Sequence, residues 1–273
     1  MHIQVLGKAK PSCGDLLKAF SKLYRSSPTP PHFYLIYDAI YEPERSEVVV
    51  KLLSNNEIDS YVLLWHGPLG YGVHVWGSSG CELLEHVAID ASKPAYVQLY
   101  SSDKELVECT KAWLHGRGFR SVEVKRFYEM MCSRELFKPS QNEYMAMRIT
   151  EGHAEQFKKY MLSRNRDLPL GDARNLLVKR QYYAMIIDGE IVSAAAICSK
   201  LPEAGIVCDV YTKPEFRGRG YAKAVTSATT RRIVETDAVA LLYVEIGNEP
   251  AIKVYTELGY KITRTLPWVA AHP

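Results

Sequence analysis

Residues 210–222 read Val-Tyr-Thr-Lys-Pro-Glu-Phe-Arg-Gly-Arg-Gly-Tyr-Ala. A strand, Ile206 to Tyr211, runs into a proline. A loop carrying Gly218 and Gly220 follows, and a helix is expected from about Gly220 to Val234. Tyr221, Ala224, Val225 and Ala228 recur at the i, i+3, i+4, i+7 spacing of one helical face. The first turn of a helix has backbone N–H groups with no intrahelical acceptor, and the macrodipole makes that end positive. The two glycines remove side chains that would hold a ligand off, and Arg217 and Arg219 add charge at the rim. The segment reads as a nest for an anion such as a pyrophosphate. It lacks the Lys-Ser/Thr ending of a Walker loop and the third glycine of a dinucleotide-binding turn.

Upstream of this loop, Tyr144 to Ile149 reads as a strand and Glu151 to Arg164 as a helix. Tyr182 to Ile187 and Ile191 to Cys198 form a hairpin about Asp188-Gly189. Downstream, Leu241 to Ile246 is a strand. A helix starts near Asn248-Glu249-Pro250 and carries Ala251, Val254, Tyr255 and Leu258 on one face. Gly259 stands where a helix-ending glycine belongs, and Tyr260 to Thr265 is a last strand.

The first 130 or so residues follow a worn version of the same plan. Asp15 to Tyr24 and Lys104 to Leu114 are expected helices. Phe33 to Tyr41, Glu47 to Leu53, Tyr61 to His66, Tyr71 to Trp76 and Tyr96 to Tyr100 read as strands. Aligning Gly118-Phe119 with Gly259-Tyr260 sets Trp113 against Val254 and Leu114 against Tyr255, which suggests an internal duplication. The break is expected in the polar stretch Ser133 to Asn142, giving domains 1–140 and 141–273.

The whole chain has 273 residues, 47% hydrophobic and 24% charged, enough for one or two domains with real cores. With 34 Lys plus Arg against 31 Asp plus Glu, the charge balance gives no reason to expect a nucleic-acid partner. No run is apolar enough to span a membrane, and the start does not read as a signal peptide. Cys13, Cys81, Cys109, Cys132, Cys198 and Cys208 are scattered without metal-ligand spacing, so no metal is expected. They are read as reduced, in a cytoplasmic protein. His66, His74 and His86 form no spaced cluster and read as packing or surface residues.

The loop Pro214 to Ala222 resembles the pyrophosphate loop of the GNAT superfamily of CoA-dependent N-acyltransferases. Its pattern of Arg or Gln, two residues, Gly, one residue, Gly or Ala falls on Arg217, Gly220 and Ala222. Leu242-Tyr243-Val244, Asn248-Glu249-Pro250-Ala251, Val254-Tyr255 and Leu258-Gly259-Tyr260 resemble the family's next strand, asparagine, helix, tyrosine and Gly-aromatic end, in the right order. The resemblance covers residues 144–270. The first half resembles the family only as a degenerate copy, since the loop after its Tyr71 to Trp76 strand is Gly77-Ser78-Ser79-Gly80, with no arginine. That tandem arrangement is similar to the mycothiol synthase and glycine N-acyltransferase branches.

The resemblance implies an α/β (α+β) fold, a mixed and mostly antiparallel sheet flanked by helices, in two related halves. It implies acetyl-CoA, or another acyl-CoA, as cosubstrate. Val210, Tyr211 and Thr212 would bind the pantetheine arm and thioester oxygen through their backbone. Arg217, Gly218, Arg219, Gly220, Tyr221 and Ala222 would hold the pyrophosphate, and Asn248 would bond the cofactor. Asn248 also suits a helix N-cap. Tyr255 matches the family tyrosine that acts as general acid to the CoA sulfur; its place on an apolar stripe equally suits a core residue. The acceptor would be an amine, on a small molecule or a peptide N-terminus. Freeing an amine of pKa ~10.4 at pH 7 costs ~4–5 kcal/mol, against about 1.4 kcal/mol for an α-amine. Glu245, at a strand end beside the expected acyl site, is the first candidate base and Asp209 the second. Arg231 and Arg232 suit either the CoA 3′-phosphate or a solvated helix face. Cys208 has no His or Lys placed to activate it for a covalent route. The rivals are a CoA-binding sensor without turnover and a two-domain interaction protein.

Overall fold

The computed structural model describes residues 2–6, 14–26, 32–55, 57–67 and 70–273. It divides into two compact units: Met1–Tyr128 with Arg264–Pro273, and Glu129–Thr263. Position 140/141 falls inside the second unit, and the last ten residues belong to the first. No described helix is long and apolar enough to cross a membrane.

The first unit is built from β1 (His2–Leu6), α1 (Gly14–Ser26), α2 (His32–Tyr41), β2 (Ser46–Leu52), β3 (Ile58–His66), β4 (Tyr71–Trp76), α3 (Gly80–Leu84), β5 (Ala95–Leu99), α4 (Lys104–Gly116) and most of β6 (Ser121–Cys132). The second has β7 (Met147–Ile149), α5 (Ala154–Leu162), α6 (Leu170–Lys179), β8 (Gln181–Ile187), β9 (Glu190–Lys200), β10 (Ala204–Thr212), α7 (Tyr221–Val234), β11 (Val239–Glu245) and α8 (Glu249–Glu257). The last strand, β12 (Lys261–His272), starts in the second unit and ends in the first.

Strand order in the first unit is β1-β2-β3-β4-β5-β12-β6, and in the second β7-β8-β9-β10-β11-β6-β12. The two orders are the same with β6 and β12 exchanged. In each unit the described ladders are antiparallel except at one place, β4 with β5 and β10 with β11. The expected pair of related, mostly antiparallel halves is therefore present. The exchange of β6 and β12 is a tertiary feature that no local pattern announces.

Five elements depart from the sequence reading. Phe33 to Tyr41 is the helix α2, not a strand. Its run of aromatic and aliphatic residues has no clear period, which is the case where pattern cannot separate the two. In the fold Phe33 stacks on Tyr37, and Tyr37 packs on Tyr41, each one turn on. The strands β1 and β6, the short α3 and the whole of α6 are absent from the sequence reading. In α6, Pro169 is the N-cap, and Ala173 and Leu177 are its buried face.

The expectation of unpaired cysteines is corrected. Cys81 is bonded to Cys109 and Cys198 to Cys208, each pair with a Cα–Cα separation of 5.9 Å. One pair joins α3 to α4 and the other joins neighbouring strands, so both depend on contacts that sequence spacing does not show. The cysteines thus no longer speak for a reducing compartment. Cys132 is free and buried, and Cys13 lies outside the described residues.

Two side chains in this framework give direct tests. Gly259 follows α8 with φ +99°, and a Cβ there would run into the carbonyl of Leu136. Gly259→Ala therefore combines left-handed strain with a backbone clash and should cost about 3 kcal/mol or more in urea unfolding. A cost below about 1 kcal/mol, that of an ordinary helix-end glycine, would refute the clash.

Asp38, in α2, is the second case. Burial first, and Glu42 one turn on, push its carboxyl up to about 8. A folded-state value above the unfolded one means stability is fully present below about pH 4 and lost as pH rises toward 8. The urea midpoint should fall between about pH 5 and pH 8.5 in the parent and stay level in Asp38→Asn. Equal slopes in both proteins would exclude Asp38 as the cause.

Candidate functional site

In the second unit, β10 and β11 begin side by side and then part. Their parallel ladder runs Ala204↔Val239, Gly205↔Ala240 and Ile206↔Leu241, and ends there among the described residues. β10 continues to Thr212 and β11 to Glu245. Carboxyl ends of parallel strands are where α/β proteins place ligands. The first unit differs. There β4 and β5 stay paired from Tyr71↔Ala95 to Val75↔Leu99, and the Tyr100 N–H still donates to the Val75 carbonyl, at 3.0 Å.

The loop after β10 is open. Gly218 and Gly220 have φ +76° and +78°, and a Cβ built on either meets nothing within 4 Å. Gly220 is the N-cap of α7 in a left-handed conformation, and no side chain caps the helix. The amides of the first turn, at Tyr221 and Ala222, are therefore left to an outside acceptor. Arg217 is tied back to the strand: its Nε donates to the Thr212 carbonyl at 3.2 Å, and its guanidinium lies 5.9 Å from the Tyr211 ring. Arg219 lies over Phe216 at 5.3 Å. Val210, Phe216 and Tyr221 pack against one apolar cluster, which fixes strand end, loop and helix start together.

The matching loop of the first unit is tied to side chains of β3. The Ser79 N–H donates to Ser60 Oγ at 3.0 Å, and Ser79 Oγ donates to Asp59 at 3.4 Å. A Cβ at Gly77 would collide with Ser60. In the first half the strands do not part, and the loop 77–80, beside a cavity lined by Trp76, Ser79, Glu82, Tyr100 and Asp103, carries no arginine.

Helix α8 stands close to α7. Lys223 Nζ bonds Glu257 at 2.8 Å, and Thr230 Oγ1 shares a 2.7 Å hydrogen bond with the Tyr260 hydroxyl. Tyr255, on α8, is 7% exposed, with its ring 6.0 Å from that of Tyr260. Tyr255 is thus a core residue by burial, on the helix packed beside α7. Burial alone pushes its phenol up to about 12, so it stays protonated through the neutral range. Asn248 is the N-cap of α8, its Oδ1 accepting from the Ala251 N–H at 3.4 Å. Glu245 is exposed at the end of β11, three residues before that cap. Arg231 is held by Glu143, and its guanidinium lies 5.5 Å from the Phe137 ring.

Asp209 is no free base. Its Oδ2 accepts from the Tyr182 hydroxyl at 2.6 Å and Arg180 Nη1 at 2.8 Å, and its Oδ1 from Arg166 Nη1 at 3.2 Å. Arg164 Nη1 stands 3.7 Å from Oδ1. Burial raises its carboxyl, but Arg180, Tyr182, Arg164 and Arg166 outweigh that and hold it below the ordinary range. The sequence reading missed this clamp because its two pairs, Arg164 with Arg166 and Arg180 with Tyr182, lie far along the chain from Asp209. Cys198, Cys208 and Asp209 also bring their ligand atoms within 4.8 Å of one another. The two sulfurs are bonded together and the carboxylate is taken by the arginines.

Residues 185–269 match the family described as FR47-like protein. A mycothiol acetyltransferase of Corynebacterium aurimucosum is 40% identical over 62 residues, 22% of this chain. That stretch spans only 20% of the relative's length. Among solved structures, a Drosophila protein superposes with a TM-score of 0.65 at 15% identity, over 94% of this chain and 88% of that one. A tandem GNAT protein from the clavulanic acid biosynthesis pathway superposes with a TM-score of 0.59 at 12% identity, over 99% and 98% of the two chains. At these identities the structural likeness speaks for the fold, which is that of tandem GNAT proteins.

Proposed function

Starting from an FR47-like segment within a tandem GNAT fold, we propose that the second unit transfers an acetyl or other acyl group from CoA to an amine by direct attack. One observation carries the reading: a glycine-lined helix start bearing Arg217 and Arg219 lies directly beyond a place where two parallel strands separate, whereas in the first unit the strands stay paired and the matching loop has no arginine. The amides from Arg217 to Ala222 would hold the pyrophosphate, with Arg217 and Arg219 adding charge. The pantetheine arm would lie along Val210, Tyr211 and Thr212, where backbone N–H groups can stabilise the oxyanion forming on the thioester. Asn248 serves the site by starting α8 and, in this reading, by bonding the cofactor.

Tyr255 would donate a hydrogen bond to the sulfur as it leaves. With the phenol at about 12 and a thiol near 8.5, complete proton transfer at neutral pH is uphill, so stabilisation of the nascent thiolate is its main contribution. Glu245 would take the amine proton, directly or through water. With Asp209 clamped, Glu245 is the remaining candidate of the two carboxylates named from the sequence. Simultaneous placement of amine and thioester supplies much of the acceleration.

The test is calorimetric titration with acetyl-CoA, followed by thiol release over a panel of small amines and a peptide N-terminus. Micromolar binding with release for at least one amine is the expected result. Binding without release would leave a CoA sensor, and absence of binding would end the proposal.

A further inference from the structure

The segment that would face the thioester begins with a kink. The β9–β10 register shifts between Cys208 and Tyr211, which leaves Asp209 and Val210 outside the paired positions. Asp209 has φ +53°, a left-handed conformation that few non-glycine residues adopt without support. Bulges bend a strand and re-aim the groups that follow them.

The support comes from four side chains on two stretches of chain. Arg164 lies just past α5, Arg166 in the connection to α6, Arg180 at the end of α6, and Tyr182 on β8. They meet on one carboxylate that is 11% exposed. Arg164 also approaches the Asp209 carbonyl at 3.5 Å, and its guanidinium lies 5.0 Å from the Tyr211 ring. The Tyr160 hydroxyl donates to the Tyr211 carbonyl at 2.7 Å, fixing the peptide beyond the kink. Strands on both sides of the bulge are thus pinned, and the hinge between them is Asp209. A carboxylate accepting three hydrogen bonds, with a fourth cation 3.7 Å away, is poorly placed to accept a substrate proton but well placed to hold a backbone.

We propose that Asp209 is a positioning residue: the clamp on its carboxylate sets the bulge that aims the Val210–Thr212 backbone at the reacting carbonyl. This rests on the acyl-transfer reading of the same site. The pyrophosphate nest lies beyond the bulge and is built without Asp209, so the two contributions separate experimentally.

Asp209→Ala should lower kcat by about tenfold, a partial loss of oxyanion stabilisation, with the acetyl-CoA Kd changed less than about threefold. Amide hydrogen exchange at 210–212 should accelerate in this variant while α7 keeps its protection. Asp209→Asn should recover most of the turnover, because asparagine tolerates left-handed backbone and keeps one acceptor oxygen. Should Asp209→Ala not fold, Arg166→Gln removes the most exposed member of the clamp and should show the same pattern more weakly. Unchanged kcat, or a Kd that worsens in step with kcat, would overturn the proposal, the second result indicating a merely structural role. If the parent turns over no amine, the acyl-transfer reading fails on its own. The exchange rates still decide the clamp, and unchanged exchange in Asp209→Ala would overturn it.

Discussion

Gly220→Val should abolish measurable acetyl-CoA binding, a loss of more than about a hundredfold, since two charge-assisted hydrogen bonds at ~1.5 kcal/mol or more each account for that factor. Two effects combine. Gly220 sits at φ +78°, where an L-residue costs ~1–2 kcal/mol, so the loop would relax away from the geometry that presents its amides. The added methyl groups would also project into the open space over the helix start, where a built Cβ meets no protein atom. That same openness means the folded chain has room for the side chain, so the thermal midpoint should fall only slightly. Gly220→Ala separates the two effects: it brings the strain with less bulk and should fall between parent and valine. Full affinity in the valine variant would remove the loop from the binding site.

Tyr255→Phe should lower kcat by about a hundredfold, the worth of one hydrogen bond to charge developing in a dry site, with Kd for acetyl-CoA nearly unchanged. The phenol is buried with no charged or hydrogen-bonding group shifting it, so removing its oxygen leaves packing intact. Because burial holds the phenol neutral to about pH 12, the ratio of parent to variant rates should be flat from about pH 6 to pH 9. A ratio that changed across that range would assign the titrating role to another group. Equal turnover in both proteins would return Tyr255 to the core, the bland reading that its burial beside Leu258 and Tyr260 also permits.

Apart from α6, the order of elements in the second half was legible because each carries a local signal. The Asp188-Gly189 turn, the glycine pair before α7, the Asn248-Glu249-Pro250 start of α8 and Gly259 at its end are all short-range features. They bias the backbone before any tertiary contact forms. The loop from Arg217 to Ala222 belongs to this class, and the structure places it at the start of α7 with its amides uncapped. What failed were segments whose conformation is set by packing. Phe33 to Tyr41 has a composition that suits strand or helix, and it became α2 by laying one face on the core. α6 hides two buried residues among charged ones.

The sequence by itself determined that this chain folds as two related α/β halves and that the second half, not the first, has the glycines and arginines of an anion nest. The first is what the resemblance of its motifs to the GNAT superfamily implies, and the second follows from backbone freedom and charge at neighbouring positions. Only the tertiary structure decided that β10 and β11 separate while β4 and β5 do not, and that β6 and β12 change places between the two strand orders. It alone also paired Cys198 with Cys208 and turned Asp209 from a possible base into a clamped hinge. The physical reason is common to all of these. Each depends on groups brought together from distant parts of the chain, where the energy lies in burial and ion pairing that no local window of residues contains.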